Sequence, residues 1–265
     1  MISLAVCVLA TAPAPAGPLK SPWRPIASGV EAATVADVGG DPNWAAKVVL
    51  VDPRLARFAV RFDGKKPSLS EWRDRYPAAL AIANGSFYST DGPPGAEVRP
   101  TCELVSDGKR VRGAGCQRQD ALFFGARARS GAPLASLAAP PPPPPPRLVG
   151  LPDFRAEEWI EAMKSFPALV RQGSVTCIGP RYCAESSRTA AVGQLRDGRV
   201  VLFASQWPAV RREVARFFAE QLGVVDAVNL DGGPEATLAV RGEPLEDAIG
   251  TYGRGLPLVL VVLPP

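Results

Sequence analysis

The chain has 265 residues, 46% hydrophobic and 21% charged, the composition of a globular protein with room for one large domain. Against 26 Asp and Glu stand 30 Lys and Arg, a formal charge of +4 with no dense basic run and no nucleic-acid-binding motif, so nucleic acid is not an expected partner. Histidine is absent, which removes Ser-His-Asp and Cys-His catalysis and the common histidine-bearing zinc sites.

Residues 1–16 read as a signal peptide. An apolar stretch from Ile2 to Ala10 is followed by A-x-A spacing at Ala10/Ala12, Ala12/Ala14 and Ala14/Ala16. The expected location is therefore secreted or periplasmic. Cysteine usage agrees. If Cys7 leaves with the signal, Cys102, Cys116, Cys177 and Cys183 remain, and four cysteines allow three pairings. Cys102/Cys116 and Cys177/Cys183 are nearest in sequence, and neither spacing is that of a metal knuckle, so disulfides are expected rather than free thiols. No later segment approaches 18 uninterrupted apolar residues, so no membrane span is expected in the mature chain.

Residues 17–44 form a Pro/Ala-rich lead-in, and 45–265 read as one domain. Segments 47–51 and 57–62 predict paired strands joined by Asp52-Pro53-Arg54. A serine cap and helix formers predict a helix over 70–76, stopped by Pro77. Residues 79–83 predict a short strand ending at Asn84-Gly85, and a turn-rich loop runs on through Asp91 to Gly95. Asp107-Gly108 marks a hairpin, and 121–124 is an apolar strand. Pro140 to Pro146 is an unbroken proline tract within a Pro-rich surface insertion at 131–147, with no amide donors for a sheet.

Trp159, Ile160 and Met163 fall on one face of a predicted helix over 157–166, closed by Pro167. Strands 189–195 and 199–204 flank Arg196-Asp197-Gly198, a hairpin turn. A helix over 213–222 ends at Gly223 and feeds a buried strand, 224–230. A nearly all-apolar strand over 256–263 closes the chain and must be covered on both faces. No internal repeat of solenoid or propeller length occurs. The sum is a single α+β domain, a mixed or antiparallel sheet with about three helices.

Three loops that follow apolar strands carry polar groups suited to chemistry: Asn84-Gly85-Ser86-Phe87-Tyr88, Ser186-Ser187-Arg188-Thr189-Ala190 and Asp231-Gly232-Gly233-Pro234-Glu235. The third delivers an acid from the end of a buried strand onto two glycines, whose backbone admits close approach of a ligand. Its bland reading is an Asp-Gly turn. Arg188 likewise has a bland reading, an ion pair with Glu185, and Asn84 could simply cap a turn. Asp231, Glu235 and Asp91 together would also suit a hard divalent cation, which makes a metal-assisted phosphodiesterase an alternative; no other cofactor is indicated.

In their order, these segments resemble the phosphodiester glycosidase family. The family's N-G-x-F/Y is matched by Asn84 to Tyr88, and its P-x-L-V/I-x-x-G by Pro167 to Gly173. Its R-T-A-x-G is matched by Arg188-Thr189-Ala190, with the glycine one place later at Gly193. Its D-G hairpin falls at Asp197-Gly198, and its N-L-D-G-G at Asn229 to Gly233. The likeness covers roughly residues 45–263. It implies an exported glycoside hydrolase that cleaves a sugar from a sugar-1-phosphodiester or a related cell-surface glycan.

Read onto this chain, the resemblance makes Asp231 the nucleophile, base or stabiliser at the sugar. Arg188 becomes the cation on the phosphate, because its planar fork binds phosphate through two hydrogen bonds. Asn84, Gly85, Thr189 and the amides of Gly232 and Gly233 become substrate-binding, and Phe87 and Tyr88 either stack on a sugar or pack in the core. Glu235 is a candidate partner acid supplied by this chain and not by the family pattern. The family continues N-L-D-G-G with Gly and then Ser or Thr, whereas Pro234 and Glu235 stand here. That departure motivates a further alternative, a catalytically inactive glycan-binding domain on the same fold.

Overall fold

The computed structural model describes residues 23–36, 45–89, 96–116, 120–128, 147–149, 155–176, 180–250 and 255–265. The predicted signal peptide, Asp91, Cys177 and the proline tract lie outside them. Strands are numbered β1 to β21 in chain order, and every pairing among them is antiparallel.

An eight-stranded sheet runs, in spatial order, β1 (Arg24–Ala27), β2 (Val30–Ala36), β3 (Ala45–Val51), β17 (Val200–Ser205), β16 (Ala190–Leu195), β19 (Val224–Asn229), β13 (Ala168–Arg171) and β14 (Ser174–Val175). A four-stranded sheet contains β20 (Leu238–Val240), β5 (Ala81–Asn84), β21 (Leu258–Leu263) and β4 (Arg57–Phe62). A five-stranded sheet contains β11 (Arg147–Val149), β10 (Leu122–Ala128), β12 (Trp159–Ser165), β8 (Leu104–Ser106) and β9 (Lys109–Val111). Two small ribbons pair β6 (Tyr88–Ser89) with β7 (Arg99–Pro100), and β15 (Ser186–Ser187) with β18 (Ala209–Val210).

The three larger sheets close around one core. Val49, Leu202 and Val228 enter it from the eight-stranded sheet, Phe58, Ala83 and Leu260 from the four-stranded, and Phe124 and Met163 from the five-stranded. Phe58 and Phe124 meet edge to face at 5.5 Å between centroids, a favoured aromatic geometry. Helices only cover outer faces. α1 (Leu69–Arg75) lays Trp72 on Ile82, Val259 and Val261. α2 (Pro180–Ala184) is a single turn. α3 (Arg211–Arg216) continues as a π turn, Phe217–Gln221, that packs Phe217 and Phe218 on the back of the eight-stranded sheet.

The domain is thus more sheet-dominated than the expected α+β arrangement. The predicted helix over 157–166 is the cause of most of the difference: only Ala156–Glu158 turns, as a 3-10 helix, and Trp159–Ser165 is β12, hydrogen-bonded between β10 and β8. The spacing of Trp159, Ile160 and Met163 fits a helix face, but a strand satisfies what that face ignored. Glu161 is 1% exposed and accepts from Val60 N at 3.0 Å and from Arg61 Nη1 at 2.6 Å. Gly125 on β10 leaves the space that the Trp159 ring fills, 2.2 Å from where a β-carbon would sit. The expected pairing of 47–51 with 57–62 also fails. β3 pairs with β2 and β17, while β4 pairs with β21, so Asp52-Pro53-Arg54 carries the chain from one sheet to another.

Other expectations hold. Helix α1 forms, although it starts at Leu69 and is capped by Ser68 rather than Ser70, in a capping box with Glu71. Strands β16 and β17 form the hairpin around Asp197-Gly198, where Gly198 has φ +89°. Strand β21 is central in its sheet and buried at five of its six positions. Cys102 and Cys116 form a disulfide, and Cys183 is disulfide-bonded as well.

Candidate active site

The three polar loops converge where β19 leaves the eight-stranded sheet and meets the end of β5. Leu230 N donates to Ala190 O at 2.8 Å, Asp231 N to Gly85 O at 3.0 Å and Gly233 N to Arg188 O at 2.8 Å. The segment 230–233 is therefore stitched to the β5 loop on one side and to the start of β16 on the other. Asn84, 2% exposed, completes the seam: its Nδ2 donates to Asp231 O at 2.7 Å and to Gly85 O at 3.1 Å, and its Oδ1 accepts from Thr237 N at 2.8 Å.

Two glycines are set by close approach. A β-carbon on Gly85 would lie 2.3 Å from Leu258 Cγ, and one on Gly232 would lie 2.7 Å from the Arg188 carbonyl oxygen. Gly233 has φ +63°, a left-handed conformation that glycine adopts without strain.

Asp231 is half-buried at this seam. Burial, and then the charge of Glu235, push its carboxyl up to about 7 from an ordinary 3.8, against a smaller opposing contribution from the Gly232 amide. Glu235 ends the single 3-10 turn Gly233–Glu235, and its Oε1 accepts from the Tyr88 hydroxyl at 3.2 Å. The Tyr88 ring lies under Lys66 Nζ, 5.3 Å from the centroid. Beside it, Phe87 stacks on Phe166 at 4.6 Å.

Arg188 is half-buried, and its Nη2 donates to Ala236 O at 2.7 Å. Its side chain also lines a cleft of about 350 Å³ together with Gln206, Trp207, Glu246, Asp247 and Gly250. The Glu185 carboxylate is bonded by Arg181 at 3.3 Å and Arg211 at 3.2 Å.

The sequence-predicted residues divide into four groups. Asp231, Glu235 and Arg188 come together around the 231–236 turn. Asn84 and Gly85 are there too, but as struts: the Asn84 amide is committed to main chain, and Gly85 is packed on Leu258. Thr189 points inward, 0% exposed, with its Oγ1 donating to Ser187 O at 3.2 Å and its N donating to Ser205 Oγ at 2.8 Å. Of the two glycine amides, that of Gly233 is engaged by Arg188 O and that of Gly232 serves the Asp231 carboxylate.

Sequence reasoning missed Phe166, the Tyr88–Glu235 bond and the Ala236 carbonyl that anchors Arg188. An aromatic before a proline was the only sign of the first; main-chain acceptors leave none. Among the described residues no group of three or more Cys, Asp and Glu is placed to hold a metal ion, and Asp91 is outside them.

The sequence model of the family described as phosphodiester glycosidase matches residues 77–263, which include all three loops. The chain belongs to the phosphodiester glycosidase family. Solved structures share its fold. One is the catalytic domain of zebrafish N-acetylglucosamine-1-phosphodiester alpha-N-acetylglucosaminidase, auto-inhibited by its pro-peptide. It is 19% identical with a TM-score of 0.62, over 95% of this chain and 87% of that one. A hypothetical protein from Synechocystis is 15% identical with a TM-score of 0.62, over 90% of this chain; the match spans 62% of that protein's length. A putative exported protein from Burkholderia pseudomallei is 17% identical with a TM-score of 0.59, over 83% of this chain and 74% of that one. No curated protein matches the sequence. In this chain the family's N-L-D-G-G segment is the stitched turn itself, and Pro234 and Glu235 belong to the 3-10 turn that follows.

Proposed function

We propose that this member of the phosphodiester glycosidase family is an exported hydrolase that releases a sugar from a sugar-1-phosphodiester or a related cell-surface glycan. One observation carries the reading: Asp231 follows β19 on a glycine turn stitched between the Asn84 and Arg188 loops, where burial and Glu235 push its carboxyl up to about 7. A phosphate leaving group is already a stable anion and needs little protonation. The reaction instead needs attack at the anomeric carbon and a cation over the phosphate oxygens. A carboxylate with a pKa near neutrality is a stronger base than an ordinary one and is still substantially ionised at pH 7.

Asp231 attacks the anomeric carbon, or takes the proton of the attacking water, and stabilises positive charge that develops on the ring. Arg188, whose Nη2 donates to Ala236 O beside the turn, is the cation for the phosphate. Glu235, whose Oε1 accepts from the Tyr88 hydroxyl, keeps Asp231 basic through its negative charge. Asn84 and Gly85 fix the turn from behind. The export reading rests on the apolar stretch before Ala10 and on the disulfide chemistry.

The test is release of free sugar from a panel of sugar-1-phosphodiesters by the purified mature domain. Asp231→Asn is expected to lower turnover by about 10³-fold and Arg188→Ala by about 10²-fold, with folding intact. Wild type without turnover, but with saturable glycan binding, would replace this reading with the inactive glycan-binding domain that Pro234-Glu235 suggests. Activity abolished by a chelator and restored by a divalent cation would replace it with the metal-assisted one.

A further inference from the structure

Arg73 and Arg241 line one small cavity of about 130 Å³, away from the candidate active site. Arg73 comes from the last turn of α1, and Arg241 is the residue after β20. Val240 pairs with Ala81 and Leu238 with Ala83, so the cavity lies at the start of β5 and Asn84 at its end. Three strand steps separate them, about 10 Å along β5. None of Arg188, Asp231 and Glu235 lines the cavity.

The turn that follows β20 contains one carboxylate, Glu243, and two other cations claim it. Arg24 bonds its Oε1 at 2.5 Å and Lys47 bonds its Oε2. Arg73 reaches only the Glu243 main-chain carbonyl, through Nη2 at 2.6 Å, and Arg241 only the Ile26 carbonyl, through Nη2 at 3.4 Å. Among the described residues no carboxylate comes within ion-pair distance of either guanidinium. A guanidinium carries five N–H donors, so most of both forks is uncommitted. Elsewhere the protein supplies the acid itself, as Asp52 does for Arg54, Asp63 for Arg75 and Glu161 for Arg61.

The rest of the lining fits an anion from outside. Ala81, Ile82, Ala239 and Val240 are apolar and offer no carboxylate to repel one. Beside such a surface the two like charges are poorly screened from each other, and a tetrahedral oxyanion held by both relieves the repulsion. Its oxygens also match the paired N–H groups of each fork.

We propose that Arg73 and Arg241 form a second oxyanion site, separate from the chemistry at Asp231, which takes the phosphate group of free phosphate or of a phosphodiester chain. The assignment goes beyond the glycosidase reading and does not depend on it.

Calorimetric titration at low salt tests it in Arg188→Ala, which removes the cation of the candidate active site. The probes are inorganic phosphate and a short glycerol phosphate oligomer. Phosphate is expected to saturate one site, and adding Arg241→Gln should weaken it about tenfold, the size of one charge-assisted hydrogen bond. Arg73→Gln should weaken it by at least as much, and Arg241→Lys by less than Arg241→Gln. Arg241 is exposed and its one carbonyl bond is long, so Arg241→Gln should leave thermal unfolding unchanged, which separates a lost site from a lost fold. Tighter binding of the oligomer than of phosphate, with the same dependence on Arg241, supports the site and names a phosphodiester chain as the source; the reverse order supports it and names free phosphate. Phosphate affinity unchanged by Arg241→Gln and Arg73→Gln overturns the proposal, and so does the absence of saturable binding once Arg188 is gone. Binding is read without turnover, so a failure to release sugar would count against the glycosidase reading alone.

Discussion

Glu161 and Asp231 are carboxylates that burial treats alike and their neighbours treat oppositely. Burial raises the pKa of both. Around Glu161 the protein supplies the Arg61 guanidinium at 2.6 Å and the amides of Val60 and Asp107 at 3.0 and 3.4 Å, each of which favours the charged form. Around Asp231 it supplies a second carboxylate, and one amide that only partly offsets it. The first arrangement ties the five-stranded sheet to β4 of the four-stranded one. The second leaves a group that titrates near neutrality. Burial alone does not mark a candidate site; an acid set at a strand end and facing a like charge does.

The largest effect that would sharpen this contrast is at Glu161. Glu161→Ala leaves Arg61 and two main-chain amides without their acceptor, and should cost about 3 kcal/mol in denaturant unfolding. A loss below about 1 kcal/mol would mean that water replaces the carboxylate readily and that the two regions differ less than described.

Next comes the turn. Gly232→Ala drives a methyl group against the Arg188 carbonyl, which is bonded to Gly233 N and cannot swing aside. A destabilisation of about 2 kcal/mol is expected, accompanied by loss of sugar release. Wild-type stability in that variant would show the stitching of 230–233 to be loose.

The smallest effect reports the pair itself. In wild type the acid limb of kcat/KM should have its midpoint near 7, with activity rising as Asp231 ionises. Glu235→Gln removes the like charge, so the limb should move to lower pH by roughly one unit. The sign for stability follows. The folded pKa of Asp231 is raised, so its favourable contribution is complete below an ordinary 3.8 and is lost as pH rises through about 7. Thermal unfolding at pH 5 and pH 8 should show Glu235→Gln losing less over this interval than wild type.

Much of the fold was legible because local chemistry spelled it. Asp197-Gly198 between two apolar runs, Gly223 before Val224, and an all-apolar 256–263 segment each name their own conformation. Residues 157–166 were not legible. Their apolar spacing suits a helix, and the decisive facts, a Glu161 satisfied by Arg61 and a Trp159 seated over Gly125, belong to segments far away in the chain. The same limit applies at the site. Asp231, Arg188 and Glu235 stood out by type and position, but Asn84 and Thr189, equally polar, were indistinguishable from ligand contacts until their hydrogen bonds to main chain were seen. Trp207 carried no sequence cue at all. Its exposure is a property of the cleft it borders.

The bond from Asn84 to the Asp231 carbonyl joins residues 147 positions apart. Neither loop can complete the seam while the other strand end is elsewhere, so the site has no local precursor and must form late, after the sheets have docked. In refolding, the return of sugar release should follow the slowest structural phase rather than the recovery of strand signal. In the native state, opening either sheet at that corner should switch off the chemistry while most of the core stays closed.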